Sequence, residues 1–379
     1  MTSRTYLDYN ATAPIRPEVK EAVLRALDVG GNPSSIHAAG RAARAIIEDA
    51  REAVGALAGV LPSQAVFTSG GSEANTLAIE SALRRGSGRA IIGATEHASV
   101  LETMEASGAP TELWPVDGSG VADLDWLAWR LKDWDAKDGR PFVAVMLANN
   151  ETGVIQPVAE ASRLVREADG WLHVDAVQAA GKISVDLEAL GADSMALSAH
   201  KLGGPQGSGA LIVGARASVV RCSFGGGQES GRRGGTANLT GIAGFGAAAR
   251  VSEVNERNAA WRDATAERLK RDAGVTVLGE GAPRLSNTLC LGVEGFSSEL
   301  QLMALDLAGV MVSAGSACSS GKTKASHVIQ AMGRSDLGGC VIRVSGGWDS
   351  TADDWARFAD VWLTAYARRT ARKSALVEA

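Results

Sequence analysis

The chain has 379 residues, of which 45% are hydrophobic and 21% charged, a composition typical of a soluble globular protein with room for two domains. Its formal net charge of −5 argues against a nucleic-acid-binding protein, because such proteins are usually basic. No apolar run reaches the roughly 18 residues of a transmembrane helix. Because the N-terminus also lacks an apolar signal core, a cytoplasmic protein is expected.

Short apolar runs alternate with helical patterns along the first part of the chain. Six of these runs are continuous rather than alternating in their apolar residues: 65–70, 89–94, 142–148, 171–176, 194–199 and 209–214. Helical patterns follow the first two, from about Ser72 to Leu83 and from about Ala98. Continuous apolar runs indicate strands that are buried on both faces. We therefore predict an α/β fold with a mainly parallel, seven-stranded sheet and helices on both faces.

The pattern changes after about residue 239. A long helical stretch is predicted from about Ala243 to Asp272. Beyond it, strands are predicted at 287–293 and 340–345, and helices at 299–308 and 352–369. This α+β pattern predicts a smaller second domain. We place the large domain at residues 15–255 and the small domain at 1–14 and 256–379.

Polar residues cluster where the predicted strands end, which is where ligands bind in open parallel sheets. They are Ser69–Ser72, His97, Asn149–Asn150, Asp175–Gln178 and His200–Lys201. A lysine at the end of a buried strand is costly unless it has a task, and a Schiff base with an aldehyde cofactor is such a task. The alternative for Lys201 is an ordinary exposed turn.

The neighbours of Lys201 favour pyridoxal 5′-phosphate as that cofactor. A carboxylate at Asp175 would keep the pyridine nitrogen protonated, although a helix cap is the alternative. Gln178 would reach the ring hydroxyl if a helical turn begins there. The glycine-rich turn at 69–72 joins a strand to a helix and suits a phosphate, although such turns are common. His97 would stack on the ring, or would be structural.

Seven motifs together make the chain resemble the cysteine desulfurases, which are fold-type-I pyridoxal-phosphate enzymes of the class V aminotransferase group. The motifs occur in the family's order and approximate spacing: Pro33-Ser34-Ser35, TSGGSEAN (68–75), TEHAS (95–99), NNETG (149–153), HVDAVQ (173–178), SAHK (198–201) and GSAC (315–318). The similarity extends from residues 6–14 to residues 342–345. The resemblance therefore covers nearly the whole chain.

The resemblance implies a role for each matched residue. Lys201 would bind the cofactor aldehyde, His97 would stack on the ring and move protons, and Asp175 would pair with the ring nitrogen. The other implied cofactor contacts are Asn150 and Gln178 on the hydroxyl side, and Gly71, Ser72, Ser198 and His200 at the phosphate. Thr236 would reach the phosphate of a neighbouring subunit, so a homodimer is implied. Arg343, assisted by Asn32, would hold the substrate carboxylate.

Cys318 is the residue that separates this family from its relatives. The resemblance implies that it takes the sulfur of L-cysteine as a persulfide, releases L-alanine, and passes the sulfur to an acceptor such as an iron–sulfur scaffold. His97 is our candidate base for the thiol. The alternative for Cys318 is a small buried hydrophobe. A structural metal site is not expected, because the four cysteines form no CxxC pair.

Two other functions stay open at the level of sequence. An aminotransferase or a selenocysteine lyase on the same fold would keep Lys201, Asp175 and His97, but a transaminase would not need Cys318. A non-catalytic partner or regulator with this fold would show no turnover. Ser230 and Trp348 also depart from the residues that many cysteine desulfurases carry.

Overall fold

The apolar runs of the sequence form the strands of the protein. The computed structural model describes residues 4–254, 256–315 and 326–377. In chain order, the strands in these ranges are β1 (Thr5–Tyr6), β2 (Ala65–Thr68), β3 (Ala90–Gly93), β4 (Thr111–Trp114), β5 (Phe142–Met146), β6 (Trp171–Asp175), β7 (Ser194–Ser198), β8 (Gly209–Val213), β9 (Thr276–Val277), β10 (Thr288–Gly292), β11 (Val310–Met311) and β12 (Val341–Ser345).

Helices separate most of these strands. In chain order, they are α1 (Pro17–Val29), α2 (Ala38–Leu57), α3 (Gly71–Arg84), α4 (Ala98–Ser107), α5 (Leu124–Lys132), α6 (Val158–Glu167), α7 (Leu187–Leu190), α8 (Leu239–Val251), α9 (Arg257–Ala273), α10 (Ser298–Leu307), α11 (His327–Ala331) and α12 (Ala352–Val377). None of the described helices combines the length and the apolar character that a bilayer crossing requires.

The largest sheet has the strand order β2-β8-β7-β6-β5-β3-β4. Its neighbouring strands are parallel except where β8 pairs antiparallel with β2 and β7. The carboxyl ends of the other six strands therefore lie at one edge. The predicted α/β fold with a mainly parallel seven-stranded sheet is confirmed. The sequence prediction missed β4, because this edge strand buries only Trp114 and has no continuous apolar run.

Both faces of this sheet are packed, as the continuous apolar runs predicted. Along β5, Val143 and Val145 belong to one hydrophobic cluster, whereas Phe142 and Ala144 belong to another. Successive side chains of a strand point to opposite faces, so the two clusters lie on opposite sides of the sheet. Phe142 also packs edge-to-face on Trp171 of β6, with ring centroids 6.2 Å apart.

The prediction of one long helix from about Ala243 to Asp272 is wrong in one respect. The structure has two helices there, α8 and α9. Ser252 ends α8 in an extended conformation, with φ −78° and ψ 112°. The two halves pack on different neighbours: α8 against α1 and α2, and α9 against α12. A straight helix could not bury both halves, so the chain turns between them.

The C-terminal strands form a second, smaller structural unit with the chain's N-terminus. Strand β10 pairs antiparallel with β9 and β12, and β1 pairs in parallel with β11. Leu7 joins a separate hydrophobic cluster around Trp355, Phe358 and Trp362. The boundaries at 14/15 and 255/256 stay predictions.

Candidate active site

A cavity of about 440 Å³ opens at the edge of the large sheet where the parallel strands end. This volume is typical of a small-molecule site. Gly315, His327 and Arg343 close the cavity from the C-terminal part of the chain. The predicted site residues that line it are Gly71, Ser72, His97, Asn150, Asp175, Gln178, Ser198, His200, Lys201 and Arg343.

Three predicted site residues are absent from the lining described for this cavity. Asn32 is exposed, and its Oδ1 accepts a hydrogen bond from the Ser34 amide at 2.9 Å. Thr236 is exposed and lines a different, smaller cavity. Cys318 lies outside the described residues, but Gly315, three positions before it, lines the main cavity. The roles of all three residues stay predictions.

Lys201 follows β7 in a short 3-10 turn and projects into the cavity. Its Nζ donates hydrogen bonds to the carbonyl oxygens of Asn10 at 2.5 Å and Ala11 at 2.9 Å. Burial is the main cause that lowers the pKa of Lys201 to about 8, and the nearby Arg343 lowers it further. A substantial fraction of this amine is therefore neutral near pH 7.5, as a nucleophile or a proton acceptor requires. The exposed-turn alternative does not hold.

Two other basic groups, His200 and Lys182, lie close enough to Lys201 to interact with it electrostatically. The pKa of His200 is lowered to about 4, first by burial and then by Lys201 and Lys182. Burial, Lys201 and Arg343 hold the pKa of Lys182 well below its ordinary value. An anion bound among these basic groups would favour their protonated forms and so raise their pKa values again.

The start of α3 supplies neutral donors for such an anion. Gly71 and Ser72 occupy its first turn, where backbone N–H groups have no partner within the helix. Gly71 lies so close to Val177 that a Cβ atom would be 2.5 Å from the Val177 Cγ2. Only glycine fits there without displacing Val177. The donors of this turn, the Ser198 hydroxyl and the basic groups together fit a phosphate.

Asp175 stands behind the cavity with its carboxylate held on both oxygens. The Val177 amide donates to Oδ1 at 2.9 Å, and Asn75 Nδ2 donates to Oδ2 at 2.8 Å. Asn75 Nδ2 also lies 2.9 Å from Ser99 Oγ, and Asn75 Oδ1 lies 2.9 Å from His173 Nε2. Asn75 therefore connects Asp175 to His173 and to the start of α4.

The direction of each hydrogen bond behind Asp175 is fixed by a chain of donors. Trp171 Nε1 can only donate, and it lies 2.9 Å from Ser194 Oγ. Because the Asn75 amide N–H donates to Asp175, Asn75 Oδ1 must accept from His173 Nε2, and the neutral ring accepts the Ser194 hydroxyl at Nδ1, 2.9 Å away. Burial lowers the pKa of His173 to about 4, which keeps the ring neutral. Asp175 thus faces the cavity as an oriented acceptor.

Asn10 is a buried connection between the N-terminal segment and the cavity. Its carbonyl oxygen accepts from Lys201 Nζ and, at 2.7 Å, from Gln178 Nε2. Its side-chain oxygen accepts from Lys182 Nζ at 3.1 Å, and Lys182 also donates to Gln178 Oε1 at 2.6 Å. Its remaining polar partners are Asn150, Asn287, Thr288 and Ser345. Gln178 is therefore held in place with one amide N–H left for a ligand.

The sequence prediction missed Asn75, Asn10 and Lys182. Asn75 had a detectable signal, because asparagine is unfavourable inside a helix and its neighbours Ala74 and Leu77 are apolar. Lys182 had a weaker one, as a lysine between apolar residues four positions after Gln178. Asn10 had none, because its partners are distant in sequence.

His97 caps the N-terminus of α4. The backbone amide of Ser99 donates to His97 Nδ1 at 3.1 Å, so this nitrogen has no proton. The neutral ring therefore carries its proton on Nε2. Removing a thiol proton would require Nε2 as the acceptor, and thus the loss of this cap. The geometry makes His97 a hydrogen-bond donor toward the cavity.

Arg343 lies on β12 with its guanidinium buried at the cavity wall. Its Nη2 forms an ion pair with Asp8 Oδ1 at 2.7 Å, and Nη1 donates to the Asn150 carbonyl oxygen at 3.0 Å. Its Nε is buried without a hydrogen-bond partner among the described residues. A guanidinium has five N–H donors, so enough remain for a carboxylate ligand.

Comparison with known proteins identifies the family. Residues 5–358 match the family model described as Aminotransferase class-V. The chain belongs to the class-V aminotransferase family.

Individual relatives specify the group within that family. A protein of Dictyoglomus turgidum named "Cysteine desulfurase IscS" is 39% identical over 345 residues, which are 88% of this chain and 86% of that protein. The structure of a NifS-like protein from Rickettsia africae ESF-5 is similar with a TM-score of 0.89 and 31% identity, over 96% of this chain and 100% of that chain. A structure titled "SspA in complex with cysteine" has a TM-score of 0.78 and 30% identity, over 90% and 98% of the two chains. The resemblance to the cysteine desulfurases is confirmed.

Proposed function

We propose that this chain is a cysteine desulfurase that converts L-cysteine to L-alanine and leaves the sulfur on Cys318. The observation that carries the proposal is the cavity that contains both Lys201, with its pKa lowered to about 8, and Arg343. An amine that is partly neutral and an arginine with free donors suit an α-amino acid substrate. A relative of this chain has been solved with cysteine bound, which supports L-cysteine as the substrate.

Pyridoxal 5′-phosphate is the proposed cofactor, because the crowded basic groups and the start of α3 fit its phosphate. When bound, it would supply an electron sink for the substrate Cα. Asp175 would hold the ring nitrogen, His97 would lie over the ring, and Asn150 and Gln178 would face the ring hydroxyl. The phosphate would be held by Gly71, Ser72, Ser198 and His200, with Thr236 from a second subunit of a homodimer.

Three side chains of this protein would carry out the remaining steps of the reaction. Arg343 would bind the substrate carboxylate, and the neutral amine of Lys201 would take the proton from Cα. The Cys318 thiolate would then attack the substrate sulfur. A sulfur–sulfur bond forms, the carbon–sulfur bond breaks with its electron pair going to carbon, and protonation of that carbon gives alanine. The overall balance is cysteine plus thiol to alanine plus persulfide.

The persulfide sulfur would pass to an acceptor. In the cell, we propose a protein acceptor of the iron–sulfur scaffold kind, on the basis of the desulfurase relatives. In the test tube a thiol reductant takes its place and releases sulfide. Two of the other cysteines, Cys222 and Cys290, suit this role less, because burial raises the pKa of each thiol.

The test is to incubate the purified holoenzyme with L-cysteine and a thiol reductant. We expect equal amounts of sulfide and alanine. The variant Cys318→Ala is expected to lose both products by at least about 10³-fold while it keeps the cofactor absorbance, because it lacks the nucleophile. Cys222→Ala is the matched control and should keep normal rates. Formation of a keto acid without sulfide would instead support an aminotransferase.

His97 allows a separate test of its two proposed functions. We expect His97→Ala to lower the free energy of unfolding by about 1 kcal/mol, because the α4 cap is lost. His97→Asn should keep the stability, since asparagine is a good capping residue. Both variants should bind the cofactor and slow turnover strongly, because both lose the imidazole. Denaturant unfolding and alanine formation are the measurements. If the two variants were equally destabilised, a capping role of His97 would be ruled out. Near-normal turnover in both variants would rule out a role of His97 in the reaction.

A further inference from the structure

Glu73 is an acidic residue in the first turn of α3, directly after the two residues that fit the phosphate, Gly71 and Ser72. A carboxylate at a helix start is ordinarily stabilised by the backbone N–H groups there, which are the groups that a phosphate would use. Glu73 would therefore compete with the phosphate for donors and also repel it. The orientation of the Glu73 carboxylate thus affects how well a phosphate can bind.

The Glu73 carboxylate bonds to the chain before the helix. Glu73 is the third residue of α3, and a glutamate at this position commonly accepts a hydrogen bond from the amide of the N-cap residue, here Gly70. Its Oε2 instead accepts from the Ser69 amide at 2.6 Å, one residue farther from the helix. None of the hydrogen bonds that the structure describes for this carboxylate uses the amides of Gly71 or Ser72.

Arg233 holds the carboxylate in this orientation. Its Nε donates to Glu73 Oε1 at 2.8 Å, and its Nη2 donates to Oε2 at 3.3 Å. Burial raises the pKa of Glu73, but the hydrogen bonds from Arg233 and Ser69 outweigh this effect, so the pKa of Glu73 lies below its ordinary value. The carboxyl is therefore ionised at neutral pH, and Arg233 supplies its counter-charge.

The segment that carries Arg233 is fastened to the strand before the same turn. Glu229 accepts hydrogen bonds from Arg51 Nη1 at 2.6 Å and Nη2 at 2.9 Å, and from the amide of Phe67 in β2 at 2.9 Å. Glu229 has a left-handed backbone conformation, with φ 50°, which residues other than glycine rarely adopt. Its contacts offset this strain and fix the position from which Arg233 reaches Glu73.

We propose that Arg233 is a positioning residue for the cofactor phosphate, because it neutralises Glu73 and keeps that carboxylate off the donors at the start of α3. Arg233 is absent from the lining described for the main cavity, so it acts through Glu73, 160 positions away in the sequence. The proposal rests on one part of the proposed function, namely that pyridoxal 5′-phosphate binds with its phosphate at Gly71 and Ser72.

The test compares the binding of pyridoxal 5′-phosphate with that of pyridoxal, which lacks the phosphate. Dissociation constants are measured from the absorbance of the bound compounds, with the full-length chain stripped of cofactor. Arg233→Gln is expected to weaken pyridoxal 5′-phosphate binding about tenfold, because an unpaired carboxylate at a helix start opposes a second anion there. Pyridoxal binding should change by less than about twofold, since pyridoxal brings no charge to that turn.

Glu73→Gln separates this role from a purely structural one. Glutamine can still accept from the Ser69 amide but has no charge, so this variant should bind pyridoxal 5′-phosphate at least as tightly as the wild type. In the double variant Glu73→Gln/Arg233→Gln, the affinity should return to within about twofold of the wild type, because no carboxylate is left to neutralise. Arg84→Gln is the matched control, since it removes an ion pair with Glu80 far from the start of α3 and should leave both constants unchanged.

The proposal is overturned if the double variant binds pyridoxal 5′-phosphate as weakly as Arg233→Gln, which would make Arg233 a purely structural residue. It is also overturned if Arg233→Gln weakens pyridoxal binding equally, or if it leaves both constants unchanged. Sulfide release from L-cysteine is measured alongside. If the wild type binds pyridoxal 5′-phosphate but releases no sulfide, the proposed desulfurase activity fails, and the binding constants still decide the role of Arg233. If the wild type does not bind pyridoxal 5′-phosphate, both proposals fail.

Discussion

Lys201→Ala is expected to abolish alanine and sulfide formation, with a loss of about 10³-fold or more, because no other described side chain is placed to replace its amine. Lys182 also lies near the cavity, but its Nζ is held by Gln178 and Asn10. The measurement is product formation from L-cysteine at saturating substrate. Lys201→Arg is the control for charge, and it should be equally inactive because arginine stays protonated. Activity within tenfold of the wild type in either variant would contradict the assignment.

The same residue gives a prediction about pH. In cofactor-free protein, labelling of Lys201 by an amine-reactive reagent should rise with a midpoint near its pKa of about 8, against the ordinary 10.5. At pH 7.5, this makes the neutral amine on the order of 200-fold more abundant than in a free lysine. Since Arg343 lowers the pKa, Arg343→Ala should move the midpoint upward. A wild-type midpoint near that of free lysine would show that the amine is not perturbed.

The lowered pKa of Lys201 also makes the free energy of unfolding depend on pH. The folded protein has the lower pKa at Lys201, so the unfolded chain binds more protons between about pH 8 and 10.5. The contribution of this group to the free energy of unfolding should therefore increase as the pH rises through that window. Lys201→Met should remove this dependence.

Arg343→Lys is expected to lower kcat/KM for L-cysteine by about 10²-fold, mainly through a higher KM. Lysine keeps the charge but loses the planar fork that holds a carboxylate with two hydrogen bonds. It would also leave the Asn150 carbonyl oxygen with one donor fewer. Steady-state kinetics with L-cysteine separate the two parameters.

Asp8→Asn is the matched control for Arg343, because it removes the ion pair and leaves the fork intact. We expect a loss of about tenfold, from poorer orientation of the guanidinium. If Arg343→Lys left KM unchanged, or if Asp8→Asn had the larger effect, binding of the substrate carboxylate by Arg343 would be ruled out.

The sequence predicted most of the architecture, because the buried strands of the large sheet are short runs dominated by apolar residues on both faces. The runs that became β5, β6, β7 and β8 are examples. The prediction failed where the signal was weaker. Strand β4 is mostly exposed, and the break between α8 and α9 depends on packing partners that a helical pattern does not reveal.

The candidate site was predicted from residues at strand ends, and most of those residues line one cavity. What the sequence did not reveal were the contacts that orient them. Asn10 bonds to Ser345, 335 positions away, and Asn75 reaches Asp175 across 100 positions. The proton position on His97 likewise depends on a single backbone group, the Ser99 amide. Spacing along a chain carries no information about such contacts.

The pairing of β1 with β11 has a practical consequence for handling this protein. The stretch from Thr5 to Asn10 is built into the interior, since it supplies the Asp8 partner of Arg343 and the Asn10 oxygen that receives Lys201. An affinity tag or a proteolytic cut close to Thr5 is therefore expected to weaken ligand binding, because it would displace the partners of Arg343 and Lys201. The far end of α12 has no described contact with the cavity, so it is the better position for a purification handle or a fluorescent fusion.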